Sequence, residues 1–267
     1  MTLQKIGIDA GGTLTKIAYE ERGHLHVRSY PNDQLEKLIQ WLQLTASAAK
    51  MFVTGGKSAQ IKQRTKMNST EVEEFDALVK GTRFLLETEK QITNSHFILA
   101  SIGTGTSIFH VTPDSYERLF GTGIGGGTWM GLGKLLSGKD NFHELTELAA
   151  TGNHKKSDLL VRDIYAPNEP PIAGDLTAAN FGKAHMNSEA DTSDHLAALL
   201  QLIGETVLQF AGQAAITKQV KTIVFIGSTL EGNSKLKQVL SSFQDSIPYE
   251  PVFLERGAYA GAIGAML

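Results

Sequence analysis

The chain has no cysteine in its 267 residues. That excludes disulfides and thiolate metal sites, and it fits a reducing compartment. Charge of one sign is also missing. Twenty-five basic residues against 28 acidic ones leave a net charge of −3. No basic run stands out, so the electrostatic footprint of a nucleic-acid binder is absent. Aromatics make up only 7%. No apolar run approaches the roughly 18 residues of a membrane span. The first residues run straight into a strand pattern without a basic, apolar leader, and the expectation is a cytoplasmic protein. The eight histidines make no metal pattern: His24 and His26 share one strand face and the others are scattered. No Ser-His-Asp arrangement can be assembled by spacing alone. Glycine is what the chain has in excess. There are 27, many in tight clusters, which points to anion loops rather than linkers.

The first cluster organises the rest. Ile6-Gly7-Ile8-Asp9-Ala10-Gly11-Gly12-Thr13-Leu14-Thr15-Lys16 reads as an apolar strand ending in an aspartate, a Gly-Gly turn, and a second strand through Tyr19. Gly11 and Gly12 let backbone N–H groups crowd an anion. Asp9, at the strand end, can hold a hydrated Mg²⁺. An ordinary hairpin with a glycine turn is the competing reading, but Asp-x-Gly-Gly-Thr is more than a hairpin needs.

Further along, His24 to Tyr30 alternates as a third strand. Asn32 or Asp33 can cap a helix carrying Leu35, Leu38, Ile39, Trp41 and Leu42. Met51-Phe52-Val53 is a buried strand ending at Thr54-Gly55-Gly56. Gly56-Lys57-Ser58 resembles the end of a P-loop, but the required upstream glycine is Met51, so the match fails. A strand-to-helix turn near a ligand cleft is the better reading. Ser69 or Thr70 is expected to open a helix from Glu71 through Val79, with Phe75, Leu78, Val79 and Leu85 facing the core. On it, acids 71 and 74 share one face and 73 and 76 another; helix physics does not choose between them.

The grammar then restarts. His96 to Ile102 is a strand, Gly103-Thr104-Gly105-Thr106-Ser107 a turn, and Ile108 to Val111 a strand. Two strand–turn–strand units about 95 residues apart suggest a duplicated α/β fold clamping one nucleotide between an N-terminal lobe (1–94) and a C-terminal lobe (95–267). Gly121, Gly123 and Gly126 satisfy G-x-G-x-x-G, but outside the βαβ context that gives the pattern meaning. They read instead as a glycine turn feeding the N-terminus of a helix through Trp129, Met130, Leu132, Leu135 and Leu136, where free N–H groups attract phosphate. Helices follow over 140–151 and 158–164. A long one, capped by Thr192 or Ser193, runs over 194–218 with Leu196, Leu199, Leu200, Ile203, Val207 and Phe210 as its stripe. A strand over 222–226, a helix over 234–243, an edge strand over 251–254 and a small-residue helix over 257–265 close the chain.

The segments 8–16, Glu74-Phe75-Asp76-Ala77, Ile102-Gly103-Thr104-Gly105-Thr106-Ser107, Arg118 with Gly125-Gly126-Gly127-Thr128, and Gly174-Asp175-Leu176-Thr177-Ala178-Ala179-Asn180-Phe181-Gly182 together resemble the type II pantothenate kinases in their bacterial, eukaryote-like form. The resemblance spans nearly the whole chain in order. It implies the two-lobed actin-like fold shared with Hsp70 and sugar kinases (α/β, ribonuclease H-like, duplicated), with a nucleotide cleft between the lobes. It implies a cytoplasmic homodimer that phosphorylates pantothenate with MgATP in the first step of coenzyme A synthesis. By the same resemblance, Asp9, Ala10, Gly11, Gly12, Thr13, Leu14, Thr15 and Lys16 match ATP contacts. So do Thr104, Gly126, Gly127, Thr128, Trp129, Met130, Phe142 and Ser228, with Phe142 standing where the family has a tyrosine. Glu74 matches the catalytic base, Arg118 a pantothenate contact, and Asp9 the Mg²⁺ position, directly or through water. An arginine fork suits a carboxylate or amide, and a carboxylate base suits an attacking hydroxyl.

Two other readings share these features. One is a kinase or ATPase of the same fold, such as an N-acetylhexosamine kinase or a dehydratase activator, although an activator needs an iron–sulfur cluster that a chain without cysteine cannot ligate in the usual way. The other is a non-catalytic nucleotide switch, which the presence of Asp9, Glu74 and Arg118 argues against.

Overall fold

The computed structural model describes residues 4–65, 67–89, 96–245 and 247–267. The lobe boundary expected at Asn94 lies outside the described residues. The chain opens with β1 (Lys5–Ala10), β2 (Leu14–Glu21) and β3 (His24–Pro31), an antiparallel meander. Helix α1 (Leu35–Thr45) leads to β4 (Lys50–Thr54), α2 (Ser58–Thr65) and β5 (Ser69–Glu71). Strands β4 and β5 add in parallel on the other side of β1, giving the order β3-β2-β1-β4-β5.

After α3 (Glu74–Thr88) the pattern recurs as β6 (Phe97–Ile102), β7 (Thr106–Val111) and β8 (Tyr116–Thr122). There follow α4 (Gly126–Ser137), α5 (Phe142–Thr151), the two-residue β9 (Leu159–Leu160), α6 (Val161–Tyr165), β10 (Thr177–Ala179), the long α7 (Thr192–Lys218), β11 (Thr222–Ile226), α8 (Ser234–Ser241), β12 (Glu250–Phe253) and α9 (Ala260–Met266). The second large sheet has the order β12-β11-β6-β7-β8, with β6, β7 and β8 antiparallel and β6, β11 and β12 parallel. Strand for strand this repeats the first sheet, so the duplication legible in the two turns extends to the topology.

Strand alternation distributes the core into layers. Ile6 and Ile8 of β1 pack with Leu35, Leu38, Ile39 and Leu42 of α1 on the outer face of the first sheet. Each such side chain contributes about 1.5–3 kcal/mol on burial. Ile98, Ala100 and Ile102 of β6 face α7 on the outer side of the second sheet, while Phe97 and Leu99 face inward. Between the sheets lie α3 and α9, packed against each other. Their crossing is close because both helices carry glycine there. A Cβ on Gly81 would land on the Ala260 carbonyl, and one on Gly264 on the Ala77 carbonyl. On the sheet side, Gly7 of β1 admits the Ala262 carbonyl in the same way.

Several local expectations are corrected. The helix expected from Glu71 starts at Glu74, because Ser69–Glu71 pairs with β4 as a strand. Its N-cap is Glu73, whose carboxylate accepts from the Asp76 N–H at 2.8 Å. Glu71 instead accepts from Ser58 and Lys62. Neither Asn32 nor Asp33 caps α1, which has no side-chain cap. Asp191, rather than Thr192 or Ser193, caps α7. The helix expected at 158–164 is a short strand followed by α6. The stripe on α7 is buried through Val207, and the helix is enclosed by α4, α5, α8 and the second sheet; only Phe210 and Ile216 remain as exposed large apolar side chains on it. Among the described residues no helix is long and apolar enough to cross a membrane.

Candidate active site

The two strand–turn–strand units meet at one end of the sheets. Turn 11–13 joins β1 to β2, turn 103–105 joins β6 to β7, and the Thr13 and Thr104 hydroxyls lie 3.1 Å apart. A cleft of about 1210 Å³ opens there. Its lining includes Asp9, Gly11, Gly12, Thr13, Leu14, Lys16, Glu74, Thr104, Arg118, Gly126, Gly127, Met130, Phe142 and Ser228, all singled out from sequence. Four others are not in the lining. Ala10 and Trp129 are fully buried, Thr15 is buried with its hydroxyl on Asn32, and the Thr128 hydroxyl donates to the Gly123 carbonyl.

Both turns have their carbonyl oxygens engaged by protein. In the first, the Lys57 N–H donates to Ala10 O at 3.0 Å and its ammonium to Gly12 O at 2.7 Å. The Asn32 side-chain amide donates to Gly11 O and Gly12 O at 3.1 and 2.8 Å, and its backbone N–H to Thr13 O at 3.1 Å. In the second, the N–H groups of Gly126 and Gly127 donate to Gly103 O and Thr104 O, both at 2.8 Å, and Thr229 Oγ1 donates to Gly103 O at 3.0 Å. This corrects the expectation of free N–H groups at the start of α4. The first two are spent on the turn, and the Gly125 N–H is taken by Thr128 Oγ1 at 3.3 Å.

Asp9, next to the end of β1, has Lys16 at 3.8 Å on the paired strand. Burial pushes its carboxyl above the usual carboxylate range, and Lys16 pulls it back. Thr54, its register partner in β4, is buried at the cleft floor, and its hydroxyl has no hydrogen-bond partner among the described residues. Space for Asp9 comes from two glycines: a Cβ on Gly55 (φ +90°) or on Gly261 would come within 2.9 and 2.8 Å of its carboxylate oxygens. Glu74, the first residue of α3, faces the same cleft. Its carboxyl is also raised, first by burial, then by the negative charges of Asp9 and Glu73, with Lys16 acting against them.

Arg118 reaches the cleft through a β-bulge. Ile108 pairs with Phe120 but Phe109 pairs with Arg118, so Leu119 is the extra residue. Paired residues share a face, and one extra residue inverts the alternation beyond it. In a regular ladder Leu119 would take this face and Arg118 the opposite one. As built, Leu119 packs into the core beside α7, while the Arg118 guanidinium lies 5.7 Å over the Phe75 ring and 3.4 Å from Ser107 Oγ. It rests against Gly121, where a side chain would collide with it. No carboxylate lies within 4.0 Å of it among the described residues. Behind this wall Tyr116 donates to Asp76 at 2.8 Å, and burial with this hydrogen bond raises its pKa.

Sequence reasoning missed Asn32, Lys57, Thr54, Ser107 and Thr229 as members of the site. Lys57 and Thr54 carried a signal through Gly55-Gly56, and Ser107 through its place in the second turn; Asn32 and Thr229 carried none. Among the described residues no group of three or more His, Asp or Glu side chains could hold a metal on its own.

Comparison with known proteins bears on this geometry. The family model Fumble matches residues 20–267. A type II pantothenate kinase of Oceanobacillus iheyensis is 44% identical over 265 residues, covering 99% of both chains. Among solved structures, component A of the (R)-2-hydroxyglutaryl-CoA dehydratase of Acidaminococcus fermentans superposes with a TM-score of 0.66 at 15% identity, covering 98% of this chain and 95% of that one. The activator of the 2-hydroxyisocaproyl-CoA dehydratase of Clostridium difficile, solved with bound ADPNP, gives 0.62 at 16% identity and covers 98% and 92%. At that identity the structural likeness establishes the two-lobed actin-like fold and nothing further.

Proposed function

Since the chain belongs to the Fumble family, that of the type II pantothenate kinases, we propose that it transfers the γ-phosphoryl group of ATP to the primary hydroxyl of pantothenate, giving 4'-phosphopantothenate for coenzyme A synthesis. The observation that carries the reading is the pairing, in one cleft, of two carbonyl-pinned glycine turns with a carboxyl of raised pKa, Glu74, and a guanidinium, Arg118, that has no carboxylate partner among the described residues. Pantothenate has a hydroxyl at one end and a carboxylate at the other, which suits that pair.

In this reading the lobes 1–94 and 95–267 hold MgATP between them. The turn N–H groups and Lys16 bind its phosphates, and Phe142, Met130 and Ser228 line the remainder of the nucleotide site. Arg118 receives the carboxylate or amide end of pantothenate, with Phe75 beneath the guanidinium. Glu74 takes the proton of the attacking hydroxyl, and its raised pKa makes it a better acceptor than a glutamate of ordinary pKa. The donor chemistry fits a hard cation: Asp9 offers carboxylate oxygens, and the neighbouring Thr54 hydroxyl has no hydrogen-bond partner among the described residues. Mg²⁺ held there, directly or through water, supplies charge neutralisation across the transferring phosphate. The homodimer also belongs to this reading. It rests on the family and on exposed apolar side chains near the second sheet's β8 edge, Phe120, Phe210 and Ile216.

A coupled ADP-release assay with pantothenate, pantetheine and N-acetylglucosamine side by side tests the reading. Turnover with pantothenate is expected; turnover confined to the sugar, or ATP binding without turnover on any acceptor, would overturn it.

A further inference from the structure

We infer that Asn32 and Lys57 are positioning residues for the nucleotide's phosphates, acting through the first glycine turn; the inference rests on the MgATP reading above. Neither residue lines the cleft. Between them they bind four consecutive carbonyls, those of Ala10, Gly11, Gly12 and Thr13. A trans peptide is planar, so each C=O points opposite to the N–H of the next residue. Holding the Gly11 and Gly12 carbonyls on the Asn32–Lys57 side therefore aims the Gly12 and Thr13 N–H groups the other way, toward the space that Gly12 and Thr13 line. Those two N–H groups have no hydrogen-bond partner among the described residues. Successive N–H groups converging on one point are an anion nest.

Each residue is suited to its place. Asn32 needs its amide in one orientation, and the Thr15 hydroxyl sets it by donating to Oδ1 at 2.9 Å, which leaves Nδ2 for the two carbonyls. Aspartate at this position would lose both donors. Lys57 adds a full charge. Among the described residues no carboxylate lies within 4.0 Å of its ammonium, whereas Lys16 sits beside Asp9. The second turn is pinned by the same logic through Gly126, Gly127 and Thr229, which aims the Thr104 and Gly105 N–H groups at the cleft. Arriving by different residues at the same arrangement in both halves marks the pinning as a requirement of the site rather than a local accident of one hairpin.

The test is binding of MgATP by calorimetry on the wild type, Asn32→Ala, Lys57→Met and Lys57→Arg, together with pantothenate KM and the melting midpoint without nucleotide. Asn32→Ala and Lys57→Met are each expected to raise the MgATP Kd by about tenfold or more, the scale of one charge-assisted or two neutral hydrogen bonds. Pantothenate KM should stay within about twofold, and Lys57→Arg should recover most of the loss because it keeps a cationic donor. MgATP Kd values unchanged in both Asn32→Ala and Lys57→Met overturn the inference. So does a loss that pantothenate KM and the nucleotide-free melting midpoint follow in parallel, since that marks a structural role only. Wild-type protein that fails to bind MgATP removes the kinase reading and this inference with it.

Discussion

Glu74 is the first residue of α3, and two opposing influences act on its carboxyl. Burial and the charges of Asp9 and Glu73 favour the proton, while Lys16 disfavours it. Glu74→Gln keeps the shape and removes the acceptor, so kcat should fall by about 10²–10⁴-fold with MgATP binding retained. Glu71→Gln, which disturbs the exposed pair with Lys62 and the hydrogen bond from Ser58 away from the cleft, should leave kcat in place. The pH profile follows from the same charges. A base works deprotonated, so activity disappears as pH falls through its pKa; a raised pKa places that acid limb above the position of an ordinary carboxylate. Glu73→Gln deletes one of the charges that raise it, and the limb should move to lower pH. A limb unmoved in Glu73→Gln would show that Glu74 is not the titrating group. Arg118→Lys keeps the charge and loses the planar fork over Phe75. Pantothenate KM should then rise clearly while ATP KM changes little, and an equal rise in both would remove Arg118 from the acceptor end.

At the scale of elements, the crossing of α3 and α9 sets how closely the layer between the sheets can pack. Gly264→Ala drives a methyl group into the Ala77 carbonyl. The expected loss is about 1–3 kcal/mol, each kcal/mol lowering Tm by about 2–4 °C in a chain of this size. Gly131→Ala on α4 meets nothing within 4 Å and should raise Tm slightly, since alanine is the better helix former. A thermal melt of the two variants side by side checks both signs. The elements also show where the sequence was readable. The large strands with apolar alternation, the glycine turns and α7 were legible because periodicity and capping are local signals. The start of α3 was not, because Ser69–Glu71 becomes a strand only through β4, 15 or more residues upstream. Asn32 looked like a helix cap for the same reason: its partners, at positions 11, 12 and 15, are distant in sequence. The cleft-facing direction of Arg118 depends on a bulge that no pattern in Tyr116 to Thr122 announces.

For the whole molecule, two sheets of matching order place two matching turns at one cleft, with α3 and α9 between them. The exposed pair Phe120 and Phe210, with ring centroids 6.0 Å apart, lies on the second half. Light scattering at micromolar concentration should find twice the 28.9 kDa chain mass, because a stable interface of standard size holds at that concentration. A species of single-chain mass would reject the homodimer.

The position of α9 also bears on how the chain is made. The outer face of the first sheet can close early, since α1 and α2 follow within the same stretch of chain as β1 to β4. Its inner face cannot: Gly7 in β1 waits for Ala262 and Gly81 in α3 for Ala260. At the usual elongation rate of about 5–20 residues per second, the first strand leaves the ribosome roughly ten to fifty seconds before its last neighbour. During that interval the inner surface of the first sheet is open to solvent and to chaperones. The part of the molecule that holds β1 is thus completed only once α9 has been made.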